Sequence, residues 1–299
     1  MGARAHGPHH DLPRGALYMI ACALLFALMG VAVRLASQQL PNAMVVFLRS
    51  ALGLLMLLPW ALRLGPGGLA TRHLSEHLVR GLAGLAAMYC FFYALGHLRL
   101  ADAVLLNYSL PLFVPFIESL WLGEPFPRKL WSGIVIGFLG LLLILKPGFS
   151  IFQPAAMVGV AAGLLAALAQ VGVRRLTQSE PATRIVLYFG ICSTAVSALP
   201  AAFDWRTPRA GLLPLLLVLG ASATAAQLLM TRAYSHAPAS QVGPFLYSSV
   251  VFAGLFDWAL FAQLPDRFSV AGAVLVCAAG ILTLRIAAAA RSEPEPAGL

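Results

Sequence analysis

Charge is what this chain has least of. Of its 299 residues only 10% are Asp, Glu, Lys or Arg, while 60% are apolar. A soluble domain carries about 25% charged residues, so the composition excludes a water-soluble globule of this size, and lipid must be the solvent for most of the surface. Acids are scarcest, with 11 Asp and Glu against 20 Lys and Arg. Cysteine is limited to Cys22, Cys90, Cys192 and Cys277. Each lies in an apolar run and none has metal-ligand spacing, which excludes a disulfide scaffold and leaves small packing residues. There is no GxxxxGK[ST] loop to cradle phosphates and no gap long enough for a soluble domain, so ATP is not the expected driver. Nothing in the sequence calls for a cofactor or a metal. The histidines are scattered: His6, His9 and His10 in the N-terminal tail, His73 and His77 in one loop, His97 and His236 at helix junctions. The clustered His, Asp, Glu or Ser of a membrane enzyme is missing, and the chain is expected not to be an enzyme.

What the chain has in abundance is long apolar runs. Ten are candidates to cross a membrane: 15–36, 42–63, 78–97, 101–122, 130–146, 155–175, 182–203, 210–232, 239–262 and 268–286. Each approaches the roughly 20 residues a spanning helix needs. The runs are continuous rather than alternating, and only helices or closed barrels satisfy the backbone in hydrocarbon. An all-α integral membrane protein with ten transmembrane helices follows. Residues 1–14 read as a disordered cytoplasmic tail and 287–299 as a second one. The first run lacks a cleavage-like site and is expected to stay as a helix.

The net charge of +9 would suggest nucleic acid in a soluble protein, but its distribution points to topology. With the N-terminus inside, the inner side holds most of the cations, among them Arg63, Arg72, Arg80, Arg128, Lys129, Arg174, Arg175 and Arg184. The outer side holds Arg34, Arg99, Lys146, Arg206, Arg209 and Arg267. This asymmetry places both termini in the cytoplasm by the positive-inside rule. No nucleic-acid partner is expected; the lipid bilayer is.

The chain also repeats itself. LLFALMGVAVR, Leu24 to Arg34, is written again as LLAALAQVGVR, Leu164 to Arg174. At an offset of 139, YALGHLRLADAVLLNYSLPLFVPFIESLWLGEPFPRKLWSG lies on RAYSHAPASQVGPFLYSSVVFAGLFDWALFAQLPDRFSVAG without a gap. His97 then meets His236, Tyr108 meets Tyr247, and Glu118 meets Asp257. Two units of five helices, 15–146 and 155–286, follow. Five is odd, so the second unit enters the membrane from the opposite side, the inverted-repeat arrangement of many secondary transporters.

These residues carry a resemblance. The stretch AL…ADAVLLNYSLPLFVPF…LGEPFPRKLWSGIVIGFLGLLLILKPG, its degenerate second copy, and Arg49 in FLRSALG resemble the drug/metabolite transporter superfamily, specifically its ten-helix bacterial members with two EamA-type repeats. The resemblance implies a bacterial inner-membrane transporter of amino acids, nucleoside-like metabolites, vitamins or drugs. The second copy departs from the pattern, with Gln263-Leu264 where the first has Glu124-Pro125.

Polar groups within the apolar runs are the candidate functional residues, since a charge at a helix centre costs roughly 2.5–3.5 kcal/mol on insertion scales. Glu118 and Asp257 hold equivalent places in the two units, one near each face. They read as gate or coupling carboxylates, or as helix-end acids facing loop arginines or interfacial water. Arg49, about 10 Å from the outer end of its helix at 1.5 Å per residue, could bind an anionic group of the substrate, neutralise Asp257, or snorkel; its repeat partner is Phe189. Pro111 frees the carbonyl of Asn107, next to Tyr108 and Ser109, and Pro244 frees that of Ser240, next to Gln241. Both places, with Tyr247, could line a site or be packed kinks. Tyr89 and Tyr93 share a helix face that could stack a flat or cationic substrate or merely pack. Gln170 and Gln227 are further candidates. Gly133, Gly137 and Gly140 permit a close helix contact, within the chain or in a homodimer.

The expected function is secondary active transport of a small organic metabolite by alternating access, coupled to protons or to substrate exchange. An S-adenosylmethionine-type uptake carrier is the alternative within the family, on the LRGL-type start of the third helix and the LLLVLGAS stretch. An integral membrane enzyme or a non-transporting receptor are the alternatives outside it.

Overall fold

A computed structural model describes residues 11–97, 100–123, 128–146, 154–262 and 266–292. The three tail histidines and the compared turns at 124–125 and 263–264 lie outside them. Among the described residues every regular element is helical. The helices are α1 Leu12–Ala36, α2 Asn42–Leu69, α3 Leu74–His97, α4 Leu100–Asn107, α5 Leu110–Leu122, α6 Trp131–Leu145, α7 Ala155–Leu176, α8 Ala182–Phe203, α9 Leu213–His236, α10 Ala239–Val242, α11 Ser248–Phe261 and α12 Arg267–Ser292. Among the described residues eight segments are long and apolar enough to cross a membrane: Leu12–Ala36, Asn42–Arg63, Val104–Leu122, Arg128–Leu145, Ala155–Leu176, Ala182–Phe203, Ala210–His236 and Ala239–Leu260. Arg267–Thr283 is a shorter apolar helix, and α3, which opens with Glu76, His77 and Arg80, stands outside that set.

The helix ends follow local chemistry. α1 starts at Leu12, inside the stretch expected to be a disordered tail, because Asp11 caps it by accepting from the Arg14 N–H at 3.2 Å and Pro13 needs no hydrogen-bond partner in the first turn. The Asp11 N–H donates to the His236 carbonyl at 2.9 Å, which ties the start of α1 to the end of α9. α2 bends at Gly65, where φ is 65°, a conformation that glycine adopts without steric cost.

Two expected spans are broken. The run 101–122 divides into α4 and α5 at Tyr108 and Ser109. Pro111 lacks an N–H and its ring clashes with the Asn107 carbonyl, so the helix stops; the Ser109 hydroxyl then takes the Leu106 carbonyl at 2.6 Å. The turn presses on α7 at Gly163, where an added Cβ would lie 2.7 Å from both the Leu106 carbonyl and Ser109 Oγ. The run 239–262 is interrupted likewise. One turn of α10 passes into a 3₁₀ stretch, Gly243–Tyr247, before α11 begins.

The main core joins α1, α5, α7, α9 and α10 around Met19, Cys22, Val114, Val171, Tyr234 and Leu246. The closest helix pairs are α3 with α7, α1 with α9, α6 with α12, and α2 with α8. Gly137 and Gly140 account for the α6 pairing. A Cβ on Gly140 would stand 2.7 Å from the Gly272 carbonyl, and one on Gly137 would stand 2.7 Å from the Tyr247 ring. The glycine stripe is therefore used inside the chain.

Candidate functional site

Two groups of polar residues occupy the bundle. The first lines an open recess between α2, α8 and α9, bounded by Arg49, Ser50, Gly53, Leu54, Leu57, Val186, Phe189, Gly190, Ser193, Ala223, Thr224 and Gln227. Gly53 and Gly220 let α2 and α9 cross closely, with a Cβ on Gly220 meeting Leu52 at 2.7 Å. Arg80 of α3 contacts two of the lining residues. Its side chain is 3% exposed, its Nη2 donates to Gln227 Oε1 at 2.7 Å, and its Cζ stands 3.6 Å from the centre of the Phe189 ring. These contacts orient the guanidinium; Nε and Nη1 have no hydrogen-bond partner among the described residues. Arg49 donates through Nη1 to Met88 Sδ at 3.2 Å, and its Nε has no partner there either. Ser50 Oγ, Tyr89 Oη and Thr194 Oγ1 are buried and similarly unmatched.

The second group knits together one face of the bundle. Arg175 at the end of α7 binds Glu76 of α3 at 3.0 Å and the Trp121 carbonyl at 3.2 Å. His73 completes the set, 3.0 Å from the other Glu76 oxygen. Glu180, before α8, accepts from the Thr71 hydroxyl at 2.6 Å and from Arg184 at 2.5 Å. Tyr188 donates to the Leu69 carbonyl at 3.0 Å, and His77 stacks on its ring at 4.4 Å. Arg174 donates to the Tyr234 carbonyl at 2.7 Å. Burial works to raise the Glu180 carboxyl, but Thr71, Arg184 and the nearby His77 outweigh it and hold the group below the ordinary carboxylate value.

The expected candidates divide between these places and others. Arg49 and Gln227 line the recess. Tyr89 is half-buried, whereas Tyr93 is 48% exposed and stacks on His97 at 4.0 Å. Asn107 and Tyr108 sit at the α4–α5 break, and the Tyr108 hydroxyl meets Ser249 Oγ at 2.5 Å. Tyr247, in the second break, is fully buried with an unmatched hydroxyl. Gln241, in α10 just before that break, is half-buried. Gln170 accepts a hydrogen bond from the Tyr234 hydroxyl.

Glu118 is 2% exposed and accepts from the backbone N–H groups of Ala239 at 2.6 Å and Ser240 at 3.0 Å. It thus caps α10, which has no capping side chain of its own, and joins the two broken segments. Asp257 lies on α11; its side chain is outside the described residues. The residue that sequence reasoning passed over is Arg80, grouped there with the arginines that set topology. Its position within α3, between Val79 and Gly81 and a turn beyond Glu76, is the signal that could have separated it from a loop cation.

A helical bundle with this many apolar segments long enough to cross a membrane, and with buried polar side chains between them, is a multi-pass cell-membrane protein of the transporter class. The chain belongs to the EamA-like transporter family, whose model matches residues 13–146 and again 153–285. It is 34% identical over 277 residues to the pseudopaline exporter CntI of Pseudomonas aeruginosa, covering 92% of this chain and 97% of that one. It is 28% identical over 281 residues to a riboflavin transporter of Vibrio cholerae, covering 92% and 94%. With an S-adenosylmethionine uptake transporter of Rickettsia bellii it shares 28% over 240 residues, covering 80% and 82%. A protein crystal structure has the same fold, with a TM-score of 0.80 over 93% of this chain and 99% of that one at 18% identity.

Proposed function

We propose that the chain is a secondary active transporter that moves a small organic metabolite by alternating access, with ten spans arranged as two inverted five-helix repeats and both termini cytoplasmic. The observation that carries this reading is the exchange symmetry of the helix contacts. A shift of one repeat takes α1 to α7, α3 to α9 and α5 to α11. The pair α1–α9 then becomes α7–α3, and α5–α7 becomes α11–α1; all four pairs are in contact. The pairs α2–α8 and α6–α12 map onto themselves and are in contact too. Such an arrangement can be rebuilt with the halves exchanged, which is what reversing the open side requires. The recess lies between helices of different halves, and one face is held by bonds between the halves, as expected of a conformation closed on that side. The names of the relatives support substrates of metabolite size.

The test is transport by the purified full chain in proteoliposomes, with amino acids, riboflavin, S-adenosylmethionine and organic acids as labelled solutes, under an imposed proton gradient and under exchange conditions. Gradient-driven or exchange movement of one solute class is expected. Passive binding without movement across the panel would count against the reading. Labelling of single cysteines at the two ends of the chain, in a background without the four native thiols, should find both on the cytoplasmic side; labelling from opposite sides would remove the inverted repeat.

A further inference from the structure

We infer that the recess between α2, α8 and α9 binds the carboxylate of an organic anion between the guanidinium groups of Arg80 and Arg49. The inference rests on the transporter reading and names the substrate class of its site. Two positive charges approach this place: Arg49 lines the recess, and Arg80 is in contact with Gln227 and Phe189, which line it too. Among the described residues neither makes an ion pair with a carboxylate. Arg80 is held by a neutral amide and an aromatic ring, contacts that aim a guanidinium without cancelling its charge.

A buried charged group that lacks a partner is strongly destabilising, and each unmatched buried donor costs about 1–3 kcal/mol. Arg49 Nε and Arg80 Nε and Nη1 are three such nitrogens, and the buried hydroxyl of Ser50, which lines the recess, is unmatched as well. An anion from outside would satisfy them together. Guanidinium geometry matches carboxylate oxygens. The remaining wall, Leu54, Leu57 and Val186, suits a carbon skeleton rather than a bare inorganic ion.

Phe189 has a second meaning here. It stands at the repeat-equivalent place of Arg49, so the same position supplies a charge from one half and, from the other, a ring on which Arg80 is stacked. A carboxylate held by Arg49 and Arg80 of the first half would therefore bear on Phe189 and Gln227 of the second half through their contacts with Arg80, which links binding to the movement of one half against the other.

The experiment is thermal unfolding of the purified full chain in nonionic detergent with succinate, citrate and 3-phenylpropionate, each against its amide. Ligand that binds the folded state raises its apparent stability, so the carboxylates are expected to raise the melting temperature and the amides are not. Arg80→Gln should weaken the apparent affinity tenfold or more. Gln227→Glu guards against misfolding, because it places a carboxylate on Arg80 from within and should keep the fold while abolishing the response. Equal responses in wild type and Gln227→Glu, equal responses to acids and amides, or no response to any acid would each overturn the assignment. So would protection by inorganic phosphate or by phosphatidylglycerol alone. Failure of the two readings is separable. Equal transport of a neutral or cationic solute by wild type and Gln227→Glu would keep the transporter and remove the anion site. Carboxylate protection with no solute movement would keep the site and remove the transporter.

Discussion

Glu118 holds the backbone N–H groups of Ala239 and Ser240, 2.6 and 3.0 Å away, and so caps a helix in the other half of the chain. One carboxylate, buried in α5, satisfies the free donors of an interrupted segment that cannot satisfy them locally. The acid expected to be a gate or coupling carboxylate, or a helix-end acid facing loop arginines or water, thus holds the two broken segments together.

Glu118→Ala leaves those two donors bare, at about 1–3 kcal/mol each. Glu118→Gln keeps one acceptor oxygen and turns an amide donor toward the other N–H, so it should lose less. We expect a lower melting temperature for both, with Ala the worse, and impaired transport by each at wild-type membrane levels. Asp257→Asn, at the equivalent place in α11, should impair transport while leaving insertion intact. Full transport at wild-type expression would remove either acid from the mechanism.

Glu180 gives a pH dependence of definite sign. Its folded-state pKa lies below its ordinary value of 4.5, so the stability it contributes is fully present above that value and is lost as pH falls through the lower one. Unfolding followed from neutral to acid pH should show an acid-side loss of stability that is shallower in Glu180→Gln. Identical slopes in the two proteins would mean that the Thr71 and Arg184 contacts do not persist in solution.

Glu76 and Arg175 bridge α3 and α7, which belong to different halves. With both replaced by cysteine in a background without native thiols, a short bis-maleimide, which adds one thiol at each end, should join them and stop transport, and transport by the single-cysteine proteins should be unaffected by it. Transport at an undiminished rate through the joined protein would show that this face does not open.

Gly137 leaves no room for a methyl group, whose carbon would stand 2.7 Å from the Tyr247 ring. Overfilling a packed contact costs about 1–3 kcal/mol, so Gly137→Ala should lower the melting temperature. Gly30, whose Cβ would meet nothing within 4 Å, provides the control, and its alanine variant should melt as the wild type does.

Much of this architecture was legible in the chain, and the reason lies in what lipid requires. Eight of the ten expected spans follow from apolar length, the runs 78–97 and 268–286 falling short of it among the described residues, and both breaks follow from Pro111 and Pro244. What could not be read was which side of each helix faces protein. In α1, Met19 is fully buried while Leu17 is 68% exposed; in water the exposed place would be polar, but lipid and protein interior are equally apolar and leave no periodic mark. The partner of Glu118 was hidden for another reason: it is backbone, which has no identity in a sequence. Arg80 was hidden because an arginine in the first turns of a span resembles one that only sets orientation, until Gln227 and Phe189 are seen around it.

The two fastenings described here answer to different surroundings. The face joined through Glu76, Arg175, Glu180 and Arg184 is held by charges partly in reach of water, while α6 and α12 are held by glycines in direct contact. Dissolved salt weakens the first kind and barely touches the second. Ionic strength on that one side should therefore act as a hand on a single latch, loosening the face joined by ion pairs while the α6–α12 contact keeps its grip.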